Sequence, residues 1–276
     1  MVDTDATPGL DALFERTGES LMPTELARGP WDAAALHGGP TAALVVREVE
    51  RHLRAAGDPA GPHWQIARMT VELLRPVPVA PIQLSAATIR PGRKVTLVAV
   101  SVTAGGRDVA RAIVLGIRSA PVTLPRDLSA WAGPTGGPET PRRGGAPTGA
   151  GLWRGFHNGG VDMEWVSGGW EEPGPVSVWM RLRVPVVAGE ETTPAMRAVA
   201  LADFGNGVSW EVPFTDWRFV NPELTVHLAR PPEGEWLRLD ARSVFGPTGA
   251  GMAESQLCDR AGVFGRSAQA LLIEPA

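Results

Sequence analysis

One carboxylate stands at the end of a run of small apolar residues, Ala198-Val-Ala-Leu-Ala202-Asp203. Such neighbours strip water from a carboxylate and make it a stronger base. The chemistry this offers is general-base catalysis poised toward neutral pH. The plainer reading is an Asp at a helix end that faces water or bonds Asn206. Gln269 poses the same choice, as an amide in the apolar strand Ala268-Gln-Ala-Leu-Leu272. Buried, it needs partners, and Asp203 or a bound water would serve; outward-facing, it needs none. His37-Gly38-Gly39 opens an apolar helix. The unpaired N–H groups and positive dipole end of a helix start favour negative charge beside it. The plainer role for His37 is a helix-end side chain that bonds locally.

Other reactive residue types lead to little. Cys258 is the sole cysteine, which excludes an internal disulfide and a cysteine-rich metal site. No histidine follows it to form a nucleophile pair, and no metal-ligand spacing occurs. The glycines of 132–151 are not followed by Gly-Lys-Ser/Thr, so they form no phosphate loop. His227, alone in a strand, reads as structural. Arg90, Arg93, Arg107 and Arg111 are candidates for phosphate contacts, because a guanidinium fork matches phosphate oxygens. Scattered surface arginines are the plainer account of them.

A chain of 276 residues with 43% hydrophobic and 20% charged content is an ordinary globular protein, long enough for two domains. The net charge of −4 gives no basic surface for nucleic acid. The N-terminus, MVDTDATPGLDALFERTGES, lacks the basic and apolar segments of a signal peptide, and no apolar run is long enough to span a membrane. The expectation is a soluble cytoplasmic protein.

The elements that must position these residues come in two matching sets. Apolar spacing predicts a helix from His37 to about Ala56, after a strand near Ser20–Leu26. Gln65–Leu74, Ile82–Ile89, Val95–Val102 and Val109–Ile117 read as strands, separated by Pro and Gly turns. In the second half Val161–Val166 and Val176–Val186 read as strands. Thr193–Phe204 reads as a helix with Thr193 as N-cap and Pro194 at its first position. Trp217–Ala229, Trp236–Phe245, Gly251–Cys258 and Val263–Ile273 read as strands. Arg75-Pro76, Ile82-Gln-Leu-Ser-Ala86 and Ala110-Arg-Ala112 return as Arg230-Pro231, Leu237-Arg-Leu-Asp-Ala241 and Gly265-Arg-Ser267 at a constant offset of 155 (230 − 75, 239 − 84, 266 − 111). A period so long means a duplicated domain rather than a solenoid. The predicted division is 1–120, a Pro/Gly-rich mobile linker at 121–159, and 160–276.

Three features carry a family resemblance: Trp31 with Leu36-His-Gly-Gly-Pro40; Arg75-Pro76 followed by Arg90-Pro-Gly-Arg93; and Asn221-Pro-Glu-Leu-Thr-Val-His-Leu-Ala-Arg230 with Trp236, Gly249-Ala-Gly251 and Gly265-Arg-Ser-Ala-Gln269. In this order they resemble the double-hotdog acyl-CoA thioesterases, the TesB-like group. The resemblance implies an α+β fold of two hotdog units, each an antiparallel sheet wrapped round one long helix. It implies hydrolysis of an acyl-CoA thioester by an activated water, with no cofactor and no metal, and an acyl chain lying between helix and sheet. It implies a monomer with an internal pseudo-dimer, or a homodimer. In that family a carboxylate, a threonine and a glutamine activate the water; residue by residue these fall on Asp203, Asn221 and Gln269. Asn221 departs from the pattern by replacing the hydroxyl with an amide. His37, Gly38 and Gly39 are implied as substrate-binding, since in single-domain relatives a similar motif opens the helix whose N-terminus polarises the thioester oxygen; Arg93 joins them for its guanidinium alone. Single-domain relatives place an acid nine residues after the histidine, where this chain has Val46; Asp203 takes that place in the second helix, which implies one competent site rather than two. Two rival readings remain. A non-catalytic acyl-CoA or apolar-ligand binding protein is favoured by Asn221. A hotdog hydratase or dehydratase is disfavoured because Val208 stands where its histidine would follow Asp203.

Overall fold

Alternating apolar residues and Gly/Pro breaks build the first unit from β1 (Phe14–Thr17), β2 (Ser20–Pro23), α1 (Gly38–Ala55), β3 (Trp64–Leu73), β4 (Ile82–Arg90), β5 (Val95–Ala104) and β6 (Arg107–Arg118). The second holds β7 (Val161–Gly169), β8 (Glu172–Leu182), α2 (Pro194–Ala202), α3 (Gly205–Val208), β9 (Trp217–Val220), β10 (Glu223–Leu228), β11 (Leu237–Phe245), β12 (Ala250–Asp259) and β13 (Gly262–Pro275). This computed structural model describes residues 12–56, 63–123 and 153–276.

All thirteen strands share one sheet, in the order β1-β2-β4-β5-β6-β3-β10-β13-β12-β11-β8-β7, with β9 pairing β13 off that path. Read from either end the plan is the same, so β3 matches β10 and β6 matches β13. The halves join where β3 and β10 pair antiparallel, Thr70 opposite Thr225. Their hydroxyls lie 3.1 Å apart, and the two residues are separated by 155 in the chain. That is the offset of the sequence repeat. A residue meets its own repeat mate only on a symmetry axis, so the pseudo-twofold axis passes through this pair. The chain is a double hotdog.

Both helices are wrapped by the sheet. Leu44, Val45, Val46 and Val49 of α1 and Val199 and Leu201 of α2 are fully buried. Side chains of this size stabilise by about 1.5–3 kcal/mol each on burial. The helices touch at Gly39, where a Cβ would overlap the carbonyl oxygen of Ala200. Only glycine permits that approach. A charged clamp holds the other end of the helix pair: Glu190, before α2, receives Arg47 Nε of α1 at 2.5 Å and Arg16 of β1 at 2.6 Å. The Arg47 guanidinium, and then Arg16, hold the Glu190 carboxyl down at about 2.

Three expected elements differ. The helix predicted to Phe204 stops at Ala202, with Asp203 as its C-cap, and restarts as α3. The strand predicted over Trp217–Ala229 breaks at Asn221-Pro222, since proline has no N–H for the ladder. The first predicted strand ends at Pro23 and passes into a single tight helical turn, Glu25–Ala27, capped by Thr24. Most of the predicted linker, including 132–151, lies outside the described residues. Its last part is packed rather than free: the Trp153 indole donates to Gly29 O at 2.8 Å, and Phe156 is fully buried.

Gly39→Ala should lower unfolding stability by about 1–3 kcal/mol, read from the urea midpoint, because the two helices must separate. Glu190 is ionised in the fold at pH values where its unfolded carboxyl is already protonated. Its contribution is therefore complete above about pH 4.5 and is lost as pH falls toward about 2. Urea titrations at about pH 6 and about pH 3 should show a smaller stability gap for Glu190→Gln than for wild type.

Candidate active site

Asp203, Asn221 and Gln269 come from three discontinuities of the second unit. Asp203 ends α2. Asn221 occupies the break between β9 and β10. Gln269 lies on β13 opposite that break, between the segment paired with β10 and the segment paired with β9. Gln269 keeps its pairing with Ala253 of β12 on the other edge, and the three side chains meet at the break.

Asp203 is 3% exposed. Its Oδ1 accepts from Asn221 Nδ2 at 2.8 Å and from Gln269 Nε2 at 3.1 Å. Its Oδ2 lies 2.8 Å from His37 Nδ1, at the start of α1 in the other unit. A buried charge is tolerable only when it is paired and hydrogen-bonded, and here both units supply the partners. Gly38 is a steric condition of this meeting: a Cβ there would stand 2.7 Å from Asp203 Oδ2. The imidazole is held by Phe156 and Phe204, whose ring centres lie 5.1 and 4.8 Å away.

A further layer fixes Gln269. Its Oε1 accepts from the Asn206 backbone N–H at 3.1 Å, and Asn206 is tied to Phe219 O at 2.9 Å. Gly205 leaves the room for this, since a Cβ there would lie 2.8 Å from Gln269 Oε1 and 2.9 Å from Ser255 Oγ.

A cavity of about 300 Å³ opens onto His37, Gly38, Asp203 and Asn221. Gln269 does not line it and stands behind the carboxylate. The apolar wall is aromatic, with Trp31 and Phe214 at 5.6 Å, both packed on Phe219. Along the helices the lining stops at Gly38 on α1 and runs from Asp203 to Gly207 on the other side. The space therefore lies beyond the α1 N-terminus, not between helix and sheet, where buried side chains already fill the core.

Sequence comparison agrees with this architecture. The acyl-CoA thioesterase N-terminal domain family matches residues 27–116, and the acyl-CoA thioesterase C-terminal domain family matches 126–273. This chain belongs to the acyl-CoA thioesterase family. No curated protein matches it. Among solved structures it is similar to a protein of unknown function with a hot dog fold from Alicyclobacillus acidocaldarius (19% identity, 96% of this chain and 97% of that one, TM-score 0.68). It is also similar to the acyl-CoA thioesterase II TesB2 of Mycobacterium marinum (16%, 87% and 89%, 0.62). The tesB protein of Mycobacterium avium subs paratuberculosis gives 15%, 95% and 96%, and 0.61. At these identities the structures establish the fold.

Within this acyl-CoA thioesterase fold the sequence offsets, 157 on the helix (203 − 46) and 155 on the sheet (221 − 66, 269 − 114), set Val46, Ile66 and Val114 against Asp203, Asn221 and Gln269, and all three are apolar and buried. Arg93 is not brought to the site. It lies exposed in the β4–β5 turn. β4 runs along α1 away from His37: Val77, just before it, accepts from Leu36 N, whereas Thr88 meets His52. Fifteen helical residues separate His37 from His52, roughly 22 Å at ~1.5 Å each. The arginine that lines the cavity is Arg75, which the sequence offered as part of the repeat and of the family pattern but not as a binding residue. Arg111 is engaged with Glu72 at 2.6 Å. Burial pushes the Cys258 thiol up to about 11, which leaves it unreactive. No helix of the described residues is long and apolar enough to cross a membrane.

Gly205→Ala should displace the Gln269 amide and remove the acceptor of the Asn206 N–H. Hydrogen exchange at that amide should quicken by roughly fivefold or more, the equivalent of ~1 kcal/mol. Unchanged exchange would mean that Gln269 is not held through Gly205.

Proposed function

We propose that this protein hydrolyses an acyl-CoA thioester at the junction of its two units. The observation that carries this reading is the buried Asp203 carboxylate, fixed by two amides and an imidazole beside the N-terminus of α1. Water adds to the thioester carbon as it gives up a proton to this acid–base group. The carbonyl oxygen gains charge next to the Gly38 N–H and the positive end of an 18-residue helix, which stabilise it. The C–S bond then breaks, the proton passes to sulfur, and a carboxylic acid and a thiol leave.

Asn221 supports this chemistry as an amide in its own right. Its Nδ2 donates both to Asp203 Oδ1 and to Glu223 O at 3.2 Å, a span that the shorter threonine hydroxyl does not reproduce. Arg75 at the cavity suits a coenzyme A phosphate. The cavity is at the small end of the ~300–1,000 Å³ range of ligand sites, which suits a compact acyl group against Trp31 and Phe214. One observation favours a second reading. His37 supplies from the other unit the imidazole that Val208 does not, and a carboxylate–imidazole pair also suits addition of water to an enoyl thioester.

Free-thiol release from acetyl-, hexanoyl-, phenylacetyl- and palmitoyl-CoA tests the first reading; loss of enoyl absorbance with crotonyl-CoA tests the second. Thiol release is expected. Asp203→Asn should lower kcat by about 10²-fold or more with KM little changed. Asn221→Thr should lower activity about tenfold, the effect of one lost hydrogen bond to a charged group. A rise in activity would show that Asn221 is a damaged threonine position. Binding of acyl-CoA without thiol release or hydration would leave a binding protein.

A further inference from the structure

The Asp203 carboxylate also borders the cavity, but it has little room for a water. Both lone pairs of Oδ1 are taken by Asn221 and Gln269, Oδ2 is paired with His37, and the space beside Gly38 is so close that a Cβ there would stand 2.7 Å from Oδ2. Its side chain is 2% exposed, against 10% for His37. His37 differs in kind. Its polar contacts among the described residues all fall on Nδ1, and it lines the cavity. Nε2 has no polar partner among the described residues and is not fully buried.

Nδ1 has two neighbours that cannot both be satisfied. It lies 2.8 Å from Asp203 Oδ2 and 3.1 Å from the Gly39 N–H. One ring nitrogen either donates to the first or accepts from the second. With Asp203 ionised, two bare acceptors at 2.8 Å would repel, so the proton belongs on Nδ1 and points at the carboxylate. The neutral ring then presents a lone pair on Nε2. The same choice releases the Gly39 N–H from His37 and leaves a second unpaired donor beside that of Gly38.

We propose that His37 Nε2 is the atom that takes the proton from the attacking water, with Asp203 as the group that fixes and charges the ring; this rests on the hydrolase reading above. The water oxygen bonds to the thioester carbon as one of its protons moves to Nε2. The tetrahedral oxyanion collapses, the C–S bond breaks, and the proton on Nε2 passes to the sulfur. The second water proton stays on the new carboxyl group, and Asp203 leaves the cycle unchanged. A base held by a third group is the general design of an activated nucleophile; here the two members come from opposite halves of a duplicated chain. The titratable and charged groups around the ring are Asp203, His157, Arg75 and Asp32 on the cavity wall, with Arg28 on the segment that pairs Leu36.

Two measurements on the full chain test this. ¹⁵N NMR of the wild type, with the His37 signals assigned by comparison with His37→Asn, should show a protonated Nδ1 and a bare Nε2 at mildly alkaline pH. The opposite tautomer would overturn the proposal whether or not the protein hydrolyses anything. His37→Asn retains a donor where Nδ1 stands and removes Nε2, so the carboxylate stays paired. It should lower kcat by about 10²-fold or more and abolish the loss of rate that accompanies imidazole protonation. Added imidazole should restore part of the rate to His37→Ala. A His37→Asn enzyme within about threefold of wild type, with an unchanged pH profile and Asp203→Asn inactive, would place the water on Asp203 and overturn the proposal. If wild type releases no thiol while the NMR shows the expected tautomer, the hydrolase reading falls and the pairing of Asp203 with His37 stands.

Discussion

A carboxylate enclosed in protein is costly unless hydrogen bonds replace its water. Asp203, at the end of α2, obtains them from three other segments: the β9–β10 break, β13 and the start of α1. The last of these belongs to the other unit. This requirement explains features that are otherwise unrelated. Gly39 lets α1 approach α2, Gly38 leaves room for the carboxylate, and Gly205 leaves room for the amide behind it. The helix break at Asp203 and the strand break at Asn221 aim both side chains inward.

Duplication supplied a second set of positions that did not take on the same residues. The sheet keeps its symmetry to the register, with Thr70 against Thr225 on the axis. The helix-end sites do not. One is polar, built on Asp203, Asn221 and Gln269; at the other the residues that match by offset, Val46, Ile66 and Val114, are apolar and buried. Near the apolar one, Glu50 bonds the N-cap Thr193 at 3.1 Å, and burial raises its carboxyl. The N-terminus of α2 is thus closed by a side chain from α1, whereas the N-terminus of α1 faces a cavity. The asymmetry lets one half act as scaffold for a site carried mainly by the other.

Much of this was legible in the chain because it is local or periodic. The repeat offset gave the duplicated unit, alternation gave the strands, and Thr193-Pro194 marked the helix start, where the hydroxyl does accept from Met196 N at 3.2 Å. Asp203 and Gln269 stood out as polar residues in apolar runs. What was not legible depends on distance in the fold. Nothing near His37 in sequence names Asp203 as its partner. The Asn221-Pro222 break was masked by strand-like residues on both sides. Arg93 was chosen for its residue type, and only the direction of β4 shows that it lies at the wrong end of α1. Gly205 and Ser255 carry no local signal, since their role is the space around Gln269.

Substrate is expected to bind beyond the N-terminus of α1, where the two halves meet. A crystal structure with a non-hydrolysable thioether analogue of a short acyl-CoA tests it most directly. The carbonyl oxygen of the analogue should lie within about 3 Å of the Gly38 N–H, with His37 beside the carbonyl carbon and the acyl group against Trp31 and Phe214. An analogue seated between helix and sheet, or along α1 toward the β4–β5 turn, would contradict it.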